Sequence, residues 1–488
     1  MGQVVFRWLN RSIFFIFMCV VSIIVGLNIF YSRGYHSLEL KTPTLFNGIT
    51  LIGALNVIAV VLIYRNKIIS FINKIPKPYF IVTLLLVSVL LQFTSVRLLS
   101  VNLTWDFGTI VSSAKLLLEN NELSNYFVMY PNNILLACIL AVVGKFSTPD
   151  LFSFQVFNIM IITLSQYLIY RITSKVAGYA IGIVSLFMGV FLFPYIFYAP
   201  IVYTDTVSLI FLLLPLNMLI DKNGNLDSRL SIILIASVLF SFGMILKGSL
   251  IIFIIALSIV LFLFLQRWKK LYFILPFIVL LLVKTGFNYY IYENEIVDKK
   301  QVDRYSFPVT HWLVMAQNGE RYGKFATEDF HWTHDLLEKN SREEVKQIHL
   351  NELKKRITEK GWIGNLHYNI QKLAHTWTDG TYYSLNKLKR QPVEPENFNR
   401  LVDFKSGDLL QGFVRIQHFI LLAGLLFIVK LKKRNEMITF AMLSVIGFFL
   451  FFLIWETRSR YLVSLTPLLI IVSCIGYFGI NKKESSIE

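Results

Sequence analysis

The sequence predicts an all-α polytopic membrane protein, and three observations carry that prediction. Of its 488 residues, 55% are hydrophobic and 16% charged, against about 25% charged in soluble domains. Apolar stretches recur from end to end, each long enough to cross about 30 Å of hydrocarbon. Basic residues gather in the short connections between stretches, as the positive-inside rule requires of cytoplasmic loops. Cys19, Cys138 and Cys474 lie inside apolar runs, which supports neither a disulfide framework nor a thiolate metal site.

Thirteen runs qualify, near residues 13–32, 47–64, 79–99, 131–148, 151–170, 176–198, 204–221, 229–246, 249–266, 271–291, 413–430, 437–455 and 461–480. The first follows Arg7 and Arg11 and lacks a small-residue cleavage site, so it reads as a retained helix rather than a signal peptide. Those arginines put the N-terminus inside, and Arg65, Lys67, Lys74 and Lys77 put the second connection inside. The third run therefore delivers residues 100–130 to the outer face. If all thirteen crossed, Arg171, Lys175, Lys269, Lys270, Lys432, Lys433 and Arg434 would lie outside and invert the rule. A re-entrant 131–148, opening Pro131-Asn132-Asn133, returns all of them to the inside, and non-spanning backbone is tolerated where protein covers it. The expectation is twelve spans, one re-entrant segment and cytoplasmic termini.

One hydrophilic segment, 292–412, divides a core of residues 1–291 from C-terminal helices at 413–488. It carries 18 basic and 18 acidic residues, so the net charge of +17 belongs wholly to the remaining chain. That charge records topology and argues against a nucleic-acid partner. Ser341 and Glu344 form a capping-box pattern ahead of a helix-forming stretch to Glu359, which predicts a small, mainly helical cap on the outer face.

Ionisable groups near bilayer depth are functional candidates. Asp106 opens the first outer loop in Asn102-Leu103-Thr104-Trp105-Asp106, and Asp205 opens the 204–221 run. Each is also a natural helix cap, yet the topology puts both on one face. Tyr130-Pro131-Asn132-Asn133 lies where the chain turns back into lipid, with Tyr130 and Asn132 as positioning candidates. Lys247 and the run Trp455-Glu456-Thr457-Arg458-Ser459-Arg460-Tyr461 set cations outside, against the charge rule. A phosphate would explain Lys247, Arg458 and Arg460, with Glu456 as their counter-charge; a structural Arg–Glu network is the alternative. His331 and His334, beside Asp329 and Asp335, share a helix face suited to a divalent metal or to solvent, and sequence fixes no further ligand. Trp377, Asp379 and Tyr382 read as a turn whose aromatics either anchor at the headgroups or meet sugar rings.

These residues, in this order, resemble the GT-C superfamily of integral-membrane glycosyltransferases, which includes protein O-mannosyltransferases, lipid A aminoarabinose transferases and a bacterial branch related to mannosyltransferases. The likeness runs from the span before Asp106 to the last span, and His311-Trp312, Trp377 to Tyr383 and Trp455 to Tyr461 look like the bacterial branch. It implies a polyprenyl-phosphate sugar as donor and Asp106 as the base that deprotonates an acceptor hydroxyl for inverting attack. It also implies an extracytoplasmic glycan or protein as acceptor, Asp205 as orienter of acceptor or cation, and lipid-phosphate stabilisation by Lys247, Arg458 and Arg460. His311, Trp377, Asp379 and Tyr382 would be sugar contacts. Relatives often carry Asp-Glu where this chain has Asp106-Phe107, which puts a required metal in doubt. A transporter of lipid-linked saccharide and a polysaccharide polymerase are the competing classes, both in a plasma membrane.

Overall fold

The computed structural model describes residues 3–33, 40–41, 45–402, 405–431 and 434–479. Apart from a two-residue strand pair, Ser32–Arg33 with Leu40–Lys41, and isolated bridges, regular structure there is helical. Among the described residues, eight helices are long and apolar enough to cross a membrane, from Phe6–Phe30 to Ser459–Phe478. Five shorter apolar helices join them: Pro131–Phe146, Tyr179–Val190, Thr204–Leu219, Leu230–Leu246 and Gly248–Phe264. Together these thirteen fall on the thirteen apolar runs.

The bundle has two chemically different ends, and the Thr204–Leu219 helix identifies them. Asp205 stands in its first turn. At its other end Lys175 Nζ donates to the carbonyls of Asn217 and Ile220 at 2.5 and 2.8 Å, satisfying last-turn acceptors and meeting the negative pole of the helix. Lys269 bonds Ser228 and Asn435 bonds Gly224 at that same end. Lys432 and Lys433 lie outside the described residues.

Pro131–Phe146 behaves differently from its neighbours. It packs along Trp105–Asn120, with Gly144 against Leu118. After a four-residue connection the Leu151–Ala177 helix begins, capped by Asp150. Gln155 and Asn158 on that helix bond the carbonyls of Pro200, Tyr198, Ala199 and Ile201, so it starts at the Asp205 end. The C-terminal end of the 131–146 element therefore lies toward the Asp205 end. Sixteen residues rise only about 24 Å.

The polar segment is helical, and its boundaries differ slightly from 292–412: the preceding helix ends at Glu293 and the next begins at Lys405. Ser341 and Glu344 complete a capping box at the head of Arg342–Trp377, a helix 18 residues longer than the Glu359 limit read from composition. Gly361, at φ 60°, breaks it in the middle. Its last turns pack on the Asp205 end of the bundle: Trp377 meets Phe452 edge-on at 5.8 Å, and its carbonyl accepts from Asn28.

Candidate functional site

Local geometry first brings Asp106 into position. Ser100 and Asn102 are clamped to Val393 and Gln391 by backbone hydrogen bonds of 2.8 and 2.9 Å. Trp105 then takes a positive φ of 49°, folding Leu103 over the first turn of its helix. At Gly108 a Cβ would sit 2.3 Å from the Leu103 carbonyl carbon, so glycine is required there. The Asp106 carboxylate emerges half-buried and accepts from the Tyr203 hydroxyl at 3.1 Å.

Asp205 is fully buried, and its side chain caps nothing. One oxygen accepts from Lys247 Nζ at 2.8 Å, the other from Lys387 Nζ at 3.1 Å. Lys247 also donates to Ser464 Oγ at 2.9 Å, and Ser464 lies 2.8 Å from Ser208 Oγ. Lys247 is therefore buried, and it is committed to holding Asp205. Lys387 lies 3.8 Å from the Tyr203 ring centroid and 4.9 Å from that of Trp105. Burial, opposed by Asp205 and reinforced by Arg460, brings its ammonium down to about 7.

The Trp455 to Tyr461 motif closes the cluster. Arg458 pairs with Glu456 at 2.5 Å, and Arg460 lies over the rings of Tyr203 and Tyr461 at 5.4 and 5.5 Å. Its buried Nε has no hydrogen-bond partner. Tyr203 thus joins everything: its hydroxyl holds Asp106, its ring carries Lys387 and Arg460, and it stands two residues before Asp205. Tyr130 stands nearby, packed on Tyr126 and Phe307. Burial, with Asp106 and Glu456 adding to it and Arg458 opposing, holds its phenol above the usual range. Asn132 is exposed, and its amide donates to Asn133, which in turn donates to Tyr126.

Four expected sugar contacts are placed otherwise. Trp377 is fully buried in the apolar core and Tyr382 is 1% exposed with its hydroxyl 3.3 Å from His418, so neither ring presents a face to a sugar. Asp379 accepts from Thr381 N and Oγ1, Tyr383 N and Ser459 Oγ. This carboxylate clips the 379–383 turn to the Arg458–Arg460 motif and so positions the Ser384–Leu388 helix that delivers Lys387. His311 is buried, 2.7 Å from Thr333 Oγ1. Its neighbour Trp312 is the one that reaches the motif, stacking on Trp455 at 5.8 Å.

Lys387, Tyr203 and Ser464 are the members sequence reasoning missed. Lys387 sits in Lys387-Leu388-Lys389-Arg390 within a polar segment, where nothing separates it from solvated lysines. Tyr203 had a signal: it stands two residues before Asp205, just ahead of an apolar run.

The metal reading changes as well. His334 groups with Asp335 and Glu338, their ligand atoms all within 4.8 Å, on an exposed surface. Asp329 instead pairs with Arg356 at 2.7 Å and accepts from Asn318, and His331 is outside the group. A cleft of about 200 Å³ opens beside it, between His334, Glu338, Tyr305, Gln301, Asn125 and Met129.

Thr333 bridges His311 to His349, which also meets Thr310 at 3.0 Å. Burial holds His311 at about 3 and His349 at about 4, the former pushed further by His349 and both pulled back by Asp329. Unfolded, each binds a proton near 6.5, so their stabilisation is complete above 6.5 and lost as pH falls toward 4. Hydrogen exchange across 309–349 should report opening easier by about 2 kcal/mol per histidine at pH 5 than at pH 7. Exchange that is flat after correction for intrinsic rates would contradict this.

A family described as conserved hypothetical integral membrane protein has a model that matches residues 5–478. No curated protein matches the chain.

Proposed function

The chain belongs to this family of conserved hypothetical integral membrane proteins, and from that premise we propose that it is a glycosyltransferase using a polyprenyl-phosphate sugar. The observation that carries the reading is an imbalance. Lys247, Lys387 and Arg460 surround one buried carboxylate, Asp205, and Lys387 and Arg460 meet Asp106 through Tyr203. Buried charge without compensation costs several kcal/mol, so such a cluster favours an anion. A phosphate next to a half-buried carboxylate is what sugar transfer from a lipid phosphate requires.

The topology proposed with it has twelve spans, a re-entrant 131–146 element and a cap formed by the polar segment. The basic end lies in the cytoplasm of a plasma-membrane protein, and Asp106 faces outside. The bilayer is the partner already implied by membrane integration; donor, acceptor and face are part of the proposal.

In the reaction, an acceptor hydroxyl on an extracytoplasmic glycan or protein attacks the anomeric carbon. Its proton passes to Asp106 as the C1–O bond to phosphate breaks, and the bonding pair leaves on the phosphate oxygen. Attack opposite the leaving group inverts the centre, and one base suffices. Tyr203 holds Asp106 in place by its hydrogen bond. Arg460, with its unpartnered Nε, and Lys387 receive the developing phosphate charge. Arg458 and Glu456 frame Arg460, and Lys247 acts at one remove by fixing Asp205. No step needs a metal, and the exposed His334 group is not part of this chemistry.

Purified protein in lipid nanodiscs, given labelled polyprenyl-phosphate hexose and envelope glycan, should release free polyprenyl phosphate. Passage of intact lipid-linked sugar across proteoliposomes without cleavage would overturn the reading in favour of transport, and turnover only with diphosphate-linked oligosaccharide would favour polymerisation.

A further inference from the structure

The second half of the broken helix carries an unusual surface. Trp362, Ile363 and Leu366 are 95%, 85% and 64% exposed. At 100° per residue, positions 362, 363, 366, 370, 373, 374 and 377 fall within one stripe about 120° wide. Ile370, Leu373, Ala374 and Trp377 on that stripe pack into the main apolar core, against the ends of Gln3–Phe30 and Glu436–Ile454. The same face then runs on, uncovered, past the edge of the protein. The opposite face is occupied: Tyr368 bonds the Ala316 carbonyl at 2.7 Å and Lys372 bonds the Ala316 and Leu453 carbonyls.

We infer that Trp362, Ile363 and Leu366 insert into the bilayer interface and anchor this helix to the lipid surface. The open stripe continues, along the same helix face, the contact made with the ends of two membrane-length helices. One of them turns Phe30, 63% exposed, outward there. Tryptophan favours that depth, where its ring is buried and its N–H stays wet. The positive φ of Gly361 breaks the direction of the helix just before the anchor. On the other side of that break, Lys360 bonds the Gln317 carbonyl and Arg356 pairs with Asp329. That half is bound to protein, while the apolar face of the first turns after the break, at Trp362, Ile363 and Leu366, is left to lipid. The helix ends two residues before Asp379, so the anchor steadies the element that leads to Lys387. The inference rests on membrane integration and is independent of the glycosyltransferase reading.

Depth measurement tests it. Trp362→Cys in a background with Cys19, Cys138 and Cys474 replaced by serine would carry a nitroxide label in nanodiscs, with labels at Phe30 and Lys354 as references. Oxygen access above that of a water-soluble nickel chelate, as at Phe30, is the expected result. Access matching Lys354 would overturn the inference, as would exclusion of both relaxants with spin–spin broadening, which marks a second copy. In the intact protein, brominated-lipid quenching of tryptophan emission should fall in Trp362→Phe; unchanged quenching would also overturn it.

Discussion

Asp106→Asn should lower sugar transfer by about 10³-fold, the span expected for loss of a general base, with the folded protein otherwise intact. The amide keeps the shape and can still accept from the Tyr203 hydroxyl, now 3.1 Å from the carboxylate, but it cannot take the acceptor's proton. Because Asp106 is only half-buried and makes no ion pair with Lys247 or Lys387, its charge is not what keeps the cluster together. Thermal stability should therefore stay within about 0.5 kcal/mol, as for surface substitutions remote from such features. Tyr203→Phe offers the graded comparison. It removes the hydrogen bond that orients Asp106 and leaves the aromatic face under Lys387 and Arg460, so transfer should fall by about tenfold, one hydrogen bond to a charged group. Measured with labelled polyprenyl-phosphate hexose, full activity in Asp106→Asn would remove this residue as the base, whatever the behaviour of Tyr203→Phe.

The apolar runs announced the helices because lipid permits few alternatives: backbone groups must be satisfied internally, so hydropathy maps directly onto helix positions. Finer features were less legible. Run 176–198 is read as one span, yet it forms Tyr179–Val190 and Phe193–Phe197 with a break between them, where Pro194 can sit only in a first turn. In the site, Asp205, Lys247, Arg458 and Arg460 stood out because charge is rare near bilayer depth. Lys387, 2% exposed on its side chain, had no such contrast, because the polar segment holds 18 basic residues and only tertiary packing buries this one. Asp379 was visible as a turn residue, but its bond to Ser459 joins positions 80 residues apart, and no local pattern carries that information. Trp377 and Tyr382 misled for a related reason: aromatics at a polar turn look the same whether they face outward or fill a core.

Asp205 and Lys387 share a hydrogen bond, and their removal should have opposite consequences. Asp205→Ala leaves Lys247 and Lys387 buried without a counter-charge, and breaking a buried pair this way costs about 3–5 kcal/mol; the variant should unfold early or fail to accumulate. Lys387→Met leaves Asp205 paired with Lys247 and keeps the Ser464 bond. Its unbranched apolar side chain can refill the space between Tyr203, Trp105 and Tyr198, so the fold should lose less than about 1.5 kcal/mol. Folding itself gains nothing from a lysine whose ammonium is held at about 7. The unfolded chain keeps that proton to about 10.4, so this group opposes folding below 7 and progressively less as pH rises from 7 toward 10.4. A cation retained against that cost fits a residue kept for an anion. Binding of polyprenyl phosphate to the native protein should then weaken as pH rises through 7, where Lys387 gives up its charge. In Lys387→Met binding should be weaker at pH 6 by about tenfold, the loss of one charge-assisted hydrogen bond, and its pH dependence between 6 and 8 should flatten. Calorimetric titration at those pH values decides the matter. A Lys387→Met protein with native affinity and native pH dependence would make Lys387 a structural partner of Asp205 and leave Arg460 as the remaining phosphate donor.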